Sequence, residues 1–146
     1  MGADSLTVVD LGCGDFSIGQ ALSIRCGRYI GVDLVKPLIE YNSAKFATDR
    51  ISFVHANIVT DSLPNGDICL VRQVFQHLSN DQILAVLPKL KQYPSCFIAY
   101  SDDGDRRFRF IVTGLERGEV LGGNDNSVGH DGIGVGTIFR RFAGAA

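Results

Sequence analysis

Short apolar segments alternate with stretches of helical periodicity along most of the chain. Segments of this length that are rich in Val and Ile are typical of strands buried on both faces of a parallel sheet. Neighbouring parallel strands are joined by crossover connections, which usually contain a helix. The pattern predicts five strands, at residues 7–11, 29–34, 51–55, 67–71 and 96–100.

Three helices are predicted among these strands. Residues 17–26 place apolar side chains on one helical face. Residues 37–47 begin with a proline, which favours the first turn of a helix. The third helix begins at a cap, either Ser79 or Asn80, and we expect Pro88 to kink or end it. The chain therefore alternates between strands and helices, as an α/β protein does.

The length of the link between the third and fourth strands makes one particular order of the sheet feasible. Residues 56–66 show no helical period, and a link of this length spans ~35 Å, enough to cross two or three strands spaced ~4.8 Å apart. We expect a Rossmann-like α/β fold, with an open, mostly parallel sheet of order 3-2-1-4-5 flanked by helices. Further along, eight glycines within residues 114–136 predict mainly loops, and residues 136–142 predict a C-terminal edge strand.

The composition is typical of a soluble globular protein. The chain has 146 residues, of which 45% are apolar and 21% are charged, and its net charge is −2. We therefore expect one domain over residues 1–146 and no nucleic-acid partner. No apolar run approaches the ~18 residues of a membrane-spanning helix, and the first residues lack a signal-peptide pattern, so we expect no membrane partner and a cytoplasmic location.

The four cysteines lack the spacing of a metal site. Cys13, Cys26, Cys69 and Cys96 form neither a C-x-x-C motif nor a Cys/His ligand pattern. This spacing argues against a zinc site and against a disulfide framework. We expect no metal, and we interpret the cysteines as small buried thiols.

Polar residues and glycines follow the first three predicted strands. In an open α/β sheet the ligand lies outside the carboxyl ends of the strands. Gly12 and Gly14 follow the first strand and permit a tight turn that a ligand can approach closely. Asp10, just before this turn, offers a carboxylate to a cationic or hydroxylated group. Asp33 ends the second strand, where a carboxylate can accept hydrogen bonds from a ribose, and Asn57 follows the third, where an amide can contact an adenine.

The residues around the glycine turn disfavour a dinucleotide. A dinucleotide site has the pattern G-x-G-x-x-G/A, which lets a pyrophosphate meet a helix N-terminus. Here Ser17 takes the place of the third glycine, and Asp10 and Asp15 bracket the turn, where they would repel a pyrophosphate. We therefore expect a ligand that is neutral or cationic at this point, with Leu34 against its base.

With the motifs V-V-D-L-G-C-G, G-V-D-L, H-A-N-I and R-Q-V-F-Q-H-L-S, residues 6–102 resemble the class I S-adenosylmethionine-dependent methyltransferases. The resemblance implies S-adenosylmethionine as the cofactor. In the family, the glycine-rich loop wraps the methionine part, the acidic residue binds the ribose hydroxyls, and the polar residue after the third strand contacts the adenine. The implied cofactor-binding residues are Asp10, Gly12, Gly14, Asp33, Leu34, Asn57, Ile58, Arg72 and Gln73.

Within that set, the resemblance implies that Leu34 and Ile58 flank the base. It also implies that backbone atoms of Arg72 and Gln73 face the amino group of the cofactor. Phe16 departs from the family pattern G-x-G-x-G, and we expect it either to cover the methionine moiety or to pack the loop.

The resemblance implies methyl transfer to a small-molecule acceptor, by in-line displacement at the sulfonium methyl. An acceptor that must lose a proton needs a base, and His77 is the catalytic candidate. Two alternatives stay open: a cofactor-binding module or inactive subunit that needs a partner, and an NAD-dependent oxidoreductase. The first strand begins near residue 6, without the helices that often cover the substrate in this family. We therefore expect a minimal or trimmed domain, and an exposed apolar edge would favour a homodimer.

Overall fold

The computed structural model describes residues 3–100, 109–114 and 119–122, and in these ranges seven strands form one sheet. The strands are β1 (Thr7–Leu11), β2 (Arg28–Asp33), β3 (Ile51–His55), β4 (Ile68–Arg72), β5 (Ser95–Tyr100), β6 (Arg109–Gly114) and β7 (Glu119–Gly122). Their order is β3-β2-β1-β4-β5-β6-β7. The first five strands pair in parallel, so the predicted Rossmann-like order 3-2-1-4-5 is confirmed.

In the described residues, three α-helices lie between these strands. They are α1 (Ser17–Ser23), α2 (Lys36–Phe46) and α3 (Asn80–Leu90), and short 3-10 turns occupy Ala3–Ser5 and Phe75–His77. Ser79 caps α3 in a reciprocal arrangement: its hydroxyl accepts from the Gln82 N–H, while the Gln82 side chain accepts from the Ser79 N–H. Pro88 lies inside α3, which ends two residues later. None of the helices in the described ranges is long and apolar enough to span a membrane.

The link between β3 and β4 contains no helix over residues 56–67, all of which the structure describes. It carries the chain past β2 and β1 to the far side of β1. The Lys89 ammonium holds this link, because Nζ donates to the backbone oxygens of Ile58, Val59 and Asp61 at 3.0, 2.7 and 2.8 Å. One cation from α3 therefore satisfies three backbone oxygens of the link.

The sheet continues beyond β5 in a way that the sequence pattern did not predict. β6 pairs antiparallel with β5, and β7 pairs antiparallel with β6. β7 falls inside the glycine-rich stretch where loops were predicted, so that prediction is wrong for these residues. Pairing with a neighbouring strand supplies hydrogen bonds that local propensity does not report. The predicted edge strand at residues 136–142 lies outside the described residues.

Two hydrophobic cores lie on opposite faces of the sheet, because successive side chains of a strand point to opposite sides. On the first face, here called the aliphatic face, α3 packs Val86 and Leu87 against strand residues such as Val9 and Val71. The second face, called the aromatic face, packs against α1 and α2. Its cluster contains Val8, Phe16, Cys26 and Tyr29, with Leu22, Phe46 and Phe53 packed against it.

Candidate functional site

The carboxyl ends of the parallel strands meet at one edge of the sheet, which we call the rim. Backbone hydrogen bonds tie the segments that follow β1, β2 and β3 to one another there. The N–H groups of Gly12 and Cys13 both donate to the Val32 carbonyl, at 2.8 and 3.0 Å. The Ala56 N–H donates to the Asp33 carbonyl at 3.1 Å. The rim is therefore a connected structure, in which the predicted site segments are neighbours.

The turn after β1 needs both of its glycines for backbone reasons. Gly12 and Gly14 have φ angles of +79° and +59°, in the left-handed region that favours glycine. A Cβ on Gly12 would also clash with Cγ2 of Val74, in the segment after β4. The turn after β1 therefore packs directly against the segment that follows β4, and this close approach requires a residue without a side chain.

Phe16 also adopts a left-handed conformation, with φ of +69°, at the N-cap of α1. Its ring is buried against Tyr29, Phe46 and Phe53, with centroid separations of 5.2, 5.1 and 5.1 Å. Burial of the ring offsets the strain that a non-glycine residue has at this φ. Of the two expectations for Phe16, the geometry supports loop packing, because the ring lies in the aromatic core and has 1% exposure.

Asp33 lies at the rim with both carboxylate oxygens oriented by backbone amides. Oδ2 accepts from the Gly14 N–H at 3.1 Å, and Oδ1 accepts from the Val35 N–H at 3.0 Å. The side chain is partly exposed, and the adjacent Leu34 is 60% exposed. Each carboxylate oxygen keeps further acceptor capacity, so Asp33 is positioned to bind hydroxyl groups of a ligand.

The environment of Asp10 differs from the predicted one, because its carboxylate has no exposed surface. Oδ2 accepts from the Tyr29 hydroxyl at 2.6 Å and pairs with Nη2 of Arg72, also at 2.6 Å. Burial and the neighbouring carboxylate raise the pKa of Tyr29, so its hydroxyl stays a donor. The geometry favours a structural role for Asp10, since this carboxylate is enclosed by protein side chains and is not presented to the rim.

Arg72 ends β4 beside the glycine turn, and Gln73 is the next residue. The Arg72 carbonyl oxygen lies 4.0 Å from the position of a Cβ on Gly12, and the Arg72 guanidinium points to Asp10. Gln73 has a φ of +54°, and its N–H donates to the Ala99 carbonyl at 2.8 Å. The Arg72 backbone therefore lies next to the turn where the resemblance implies the amino end of the cofactor, and the Gln73 backbone is held by β5.

Asn57 uses its side-chain oxygen within its own loop. Oδ1 accepts from the Val59 N–H at 3.0 Å, and the Asn57 N–H donates to Asp61 at 2.8 Å. The latter bond is the main reason that the pKa of Asp61 is lowered. Ile58 has 9% exposure and packs in the aliphatic core. The oxygen of Asn57 thus serves a turn, and its amide NH₂ group is the part available for a base.

Three other predictions concern His77, the four cysteines and metal binding. His77 is exposed, in the 3-10 turn between β4 and α3, and the structure gives it no geometry toward an acceptor. The four cysteines are buried and unpaired, as predicted, and burial together with Asp10 and Asp33 raises the pKa of Cys13 to about 12. Within the ranges that the structure describes, no group of three or more His, Cys, Asp or Glu side chains could hold a metal ion.

Sequence reasoning missed two residues near the rim, Tyr29 and Asn42. Tyr29 belongs to β2 and was interpreted only as a strand residue. Asn42 is a fully buried polar residue on α2, and its Nδ2 donates to the Gly14 carbonyl at 2.8 Å. A polar residue at an otherwise apolar helical position was the available signal for Asn42.

Comparison with known proteins identifies the family. The model of the Methyltransferase domain family matches residues 8–93, which is more than half of the 146-residue chain. An uncharacterised methyltransferase from Mycobacterium tuberculosis is 36% identical over 59 residues, which cover 40% of this chain and 30% of that protein. The chain therefore belongs to the methyltransferase domain family, in the class I S-adenosylmethionine-dependent group.

Two solved structures show the same fold at low identity. Phosphoethanolamine N-methyltransferase 1 of Haemonchus contortus, in complex with phosphoethanolamine and S-adenosylhomocysteine, has a TM-score of 0.60 and 18% identity, and the match covers 66% of this chain and 22% of that one. An S-adenosylmethionine-dependent methyltransferase from Mesorhizobium loti has a TM-score of 0.61 and 14% identity, covering 80% of this chain and 61% of that one. The match thus covers less than two thirds of each relative's length.

Proposed function

We propose that this chain binds S-adenosylmethionine at the rim and transfers its methyl group to a small-molecule acceptor. The observation that carries the proposal is the 3.1 Å hydrogen bond from the Gly14 N–H to Asp33 Oδ2. It joins the glycine turn after β1 to the carboxylate that ends β2, so one short contact brings together the two features on which the family's cofactor site depends. Family membership supports the same conclusion.

The adenosine end of the cofactor fits the segments after β2 and β3. Asp33 would accept hydrogen bonds from the ribose hydroxyls, because its carboxylate is partly exposed and already oriented by two backbone amides. The exposed Leu34 side chain would lie against one face of the base, with Ile58 supporting the other side from the core. The NH₂ group of Asn57 would donate to a ring nitrogen of the adenine.

The methionine end fits the segments after β1 and β4. Gly12 and Gly14 would let the ligand approach the backbone, and backbone atoms of Arg72 and Gln73 would face its amino group. Asp10 would act through Arg72, which it holds with a 2.6 Å ion pair. The exposed Asp15 carboxylate beside the glycine turn suits a cationic sulfonium better than a pyrophosphate, which disfavours the NAD alternative.

When bound, S-adenosylmethionine supplies a methyl group that already carries its leaving group. The residues of the chain then need to orient the ligand and to exclude water, and orientation alone is worth ~7–11 kcal/mol in favourable cases. His77 is proposed as the base for an acceptor that must lose a proton, with a His77→Ala variant expected to lose turnover but to keep cofactor affinity. The complex of the Haemonchus contortus enzyme with phosphoethanolamine supports a small-molecule acceptor as the class to test first.

Titration calorimetry with S-adenosylhomocysteine tests the cofactor site. Asp33→Ala should weaken binding by ~1.5–3 kcal/mol, because it removes charge-assisted hydrogen bonds to the ribose. Asp49→Ala is the matched control, since Asp49 is an exposed carboxylate that precedes β3, away from the rim. Equal affinities of the Asp33→Ala variant and the unchanged protein would remove Asp33 from the site.

Two further measurements separate the alternatives. NAD titrated in the same way tests the oxidoreductase alternative, and binding of NAD without S-adenosylhomocysteine would overturn the proposal. Release of S-adenosylhomocysteine from S-adenosylmethionine during incubation with a panel of small acceptors tests the activity. Cofactor binding without turnover on any acceptor would favour a module that needs a partner.

A further inference from the structure

Asn42 is the buried polar residue of α2, and neither the family resemblance nor the sequence pattern assigns it a role. It is completely buried, in the helix that follows Asp33 by three residues. Its Nδ2 donates to the Gly14 carbonyl at 2.8 Å. Its Oδ1 is buried and has no hydrogen-bond partner among the described residues. An unpaired buried carbonyl oxygen destabilises the fold, so overall stability alone does not account for an asparagine here.

The contacts of Asn42 complete a ring of hydrogen bonds under the rim. The Gly14 carbonyl accepts from Asn42, and the Gly14 N–H donates to Asp33 Oδ2 at 3.1 Å. Asp33 Oδ1 accepts from the N–H of Val35, the N-cap residue of α2, at 3.0 Å. The helix leads from Val35 back to Asn42. Both backbone groups of Gly14 are thus held by side chains, one from the end of β2 and one from α2.

This arrangement matters because Gly14 has no side chain to restrict its backbone. Its φ is +59°, and a Cβ there would meet nothing within 4 Å, so packing does not fix its conformation. Glycine visits both signs of φ readily, and an unconstrained turn would lose entropy on binding a ligand. Two hydrogen bonds, one on each of the peptide groups that flank the Gly14 Cα, supply the missing constraint.

We propose that Asn42 is a positioning residue for the cofactor site: by binding the Gly14 carbonyl it turns that oxygen inward and presets the glycine turn that Asp33 also holds. The inference rests on the proposed function, because it assumes that this turn contacts the methionine part of S-adenosylmethionine. Asn42 itself has no exposed surface, so it would act on the ligand only through the turn.

The test compares Asn42→Ala with Asn42→Asp by calorimetry with S-adenosylhomocysteine. Asn42→Ala removes the unpaired oxygen but also takes the donor from the Gly14 carbonyl, so the variant should fold with a modest loss of stability and bind the ligand about two- to tenfold more weakly. Asn42→Asp keeps the shape but replaces the donor with an acceptor, and it should weaken binding at least as much. Ser23→Ala is the control, because it deletes another buried side-chain hydrogen bond, from Ser23 Oγ to the Gln20 carbonyl in α1. It should leave the affinity unchanged.

A second readout does not depend on the ligand. In the amide NMR spectrum of the unligated protein, the Gly14 signal should shift and exchange faster with solvent in both Asn42 variants, but not in Ser23→Ala. An unchanged Gly14 amide together with unchanged affinity would overturn the inference. If the unaltered protein fails to bind S-adenosylhomocysteine, the proposed function fails, and the Gly14 signal still decides whether Asn42 sets the turn.

Discussion

The two faces of the sheet bury different kinds of side chain. On the aliphatic face, α3 and the β3–β4 link bury mainly Leu, Ile and Val side chains. On the aromatic face, Phe16 and Tyr29 pack beside α1 and α2. The buried polar residues on this aromatic face are Asp10 of β1, Ser23 of α1 and Asn42 of α2.

This difference separates the residues that mainly supply stability from the residues that set the geometry of the site. The aliphatic face needs volume and shape, which many apolar side chains can supply. The aromatic face carries directional contacts, and two of them lead to the rim: Asp10 holds Arg72, and Asn42 holds Gly14. We therefore expect changes on the aliphatic face to lower stability alone, while changes to Asp10 or Asn42, whose contacts lead from the aromatic face to the rim, lower ligand affinity.

The largest effect is expected for Asp10→Asn on the aromatic face. It leaves the Arg72 guanidinium without its buried carboxylate, and breaking such a pair costs ~3–5 kcal/mol of unfolding free energy. Denaturant unfolding measures the loss, and the double variant with Arg72→Met should recover part of it. A loss below ~1 kcal/mol would show that solvent compensates Arg72, whose side chain is 21% exposed.

Leu87→Ala probes the aliphatic face. Leu87 is 1% exposed on α3, so truncation should cost ~2–5 kcal/mol, depending on how far the cavity collapses. The affinity for S-adenosylhomocysteine, measured on the folded fraction, should not change. A clear drop in affinity for this variant would break the proposed separation between the faces.

Phe16 tests whether ring burial offsets backbone strain. Both Phe16→Ala and Phe16→Gly lose the ring contacts, but only glycine relieves the left-handed conformation at φ of +69°. The glycine variant should therefore be more stable than the alanine variant by ~1 kcal/mol, measured by thermal or denaturant unfolding. Equal stabilities would mean that the turn relaxes once the ring is gone.

The smallest effect is expected in thiol reactivity. Since burial and nearby carboxylates raise the pKa of Cys13 to about 12, its thiolate is scarce at pH 8 and its alkylation should increase only as the pH rises toward that value. The hydrogen bond with Cys96, together with burial, raises the pKa of Cys69 on the aliphatic face as well. Mass spectrometry after iodoacetamide treatment should find both unmodified in the native protein and both modified in guanidinium. Selective labelling of Cys13 at pH 8 would reveal opening of the glycine turn.

Much of the fold was predictable because it follows from local pattern and connection length. All five parallel strands were predicted within one residue at each end, and their order was predicted correctly from an α/β pattern whose third link is long enough to permit it. β6 and β7 were missed, since short strands among glycines gain their hydrogen bonds from a neighbour that local sequence does not reveal.

The candidate site was also predictable only in part. Asp33 and Gly14 lie together at the rim as the topology required, because parallel strands end at one edge. Their roles toward a cofactor remain predictions. Asp10 was expected to face a ligand and lies buried instead, and Asn57 uses its oxygen for a turn. In both cases the type of residue fitted the expected chemistry, but its partners within the chain decided where its polar atoms point.

The sequence by itself determined the order of the strands and the edge of the sheet where glycines and carboxylates collect, because periodicity, turn residues and link length act locally along the chain. Only the tertiary structure decided the direction of individual polar groups. The partners of Asp10 are 19 and 62 residues away, and Asn42 reaches a carbonyl 28 residues away. Contacts across such separations exist only after the sheet and helices have packed, so no local pattern encodes which of two acceptable orientations a side chain takes.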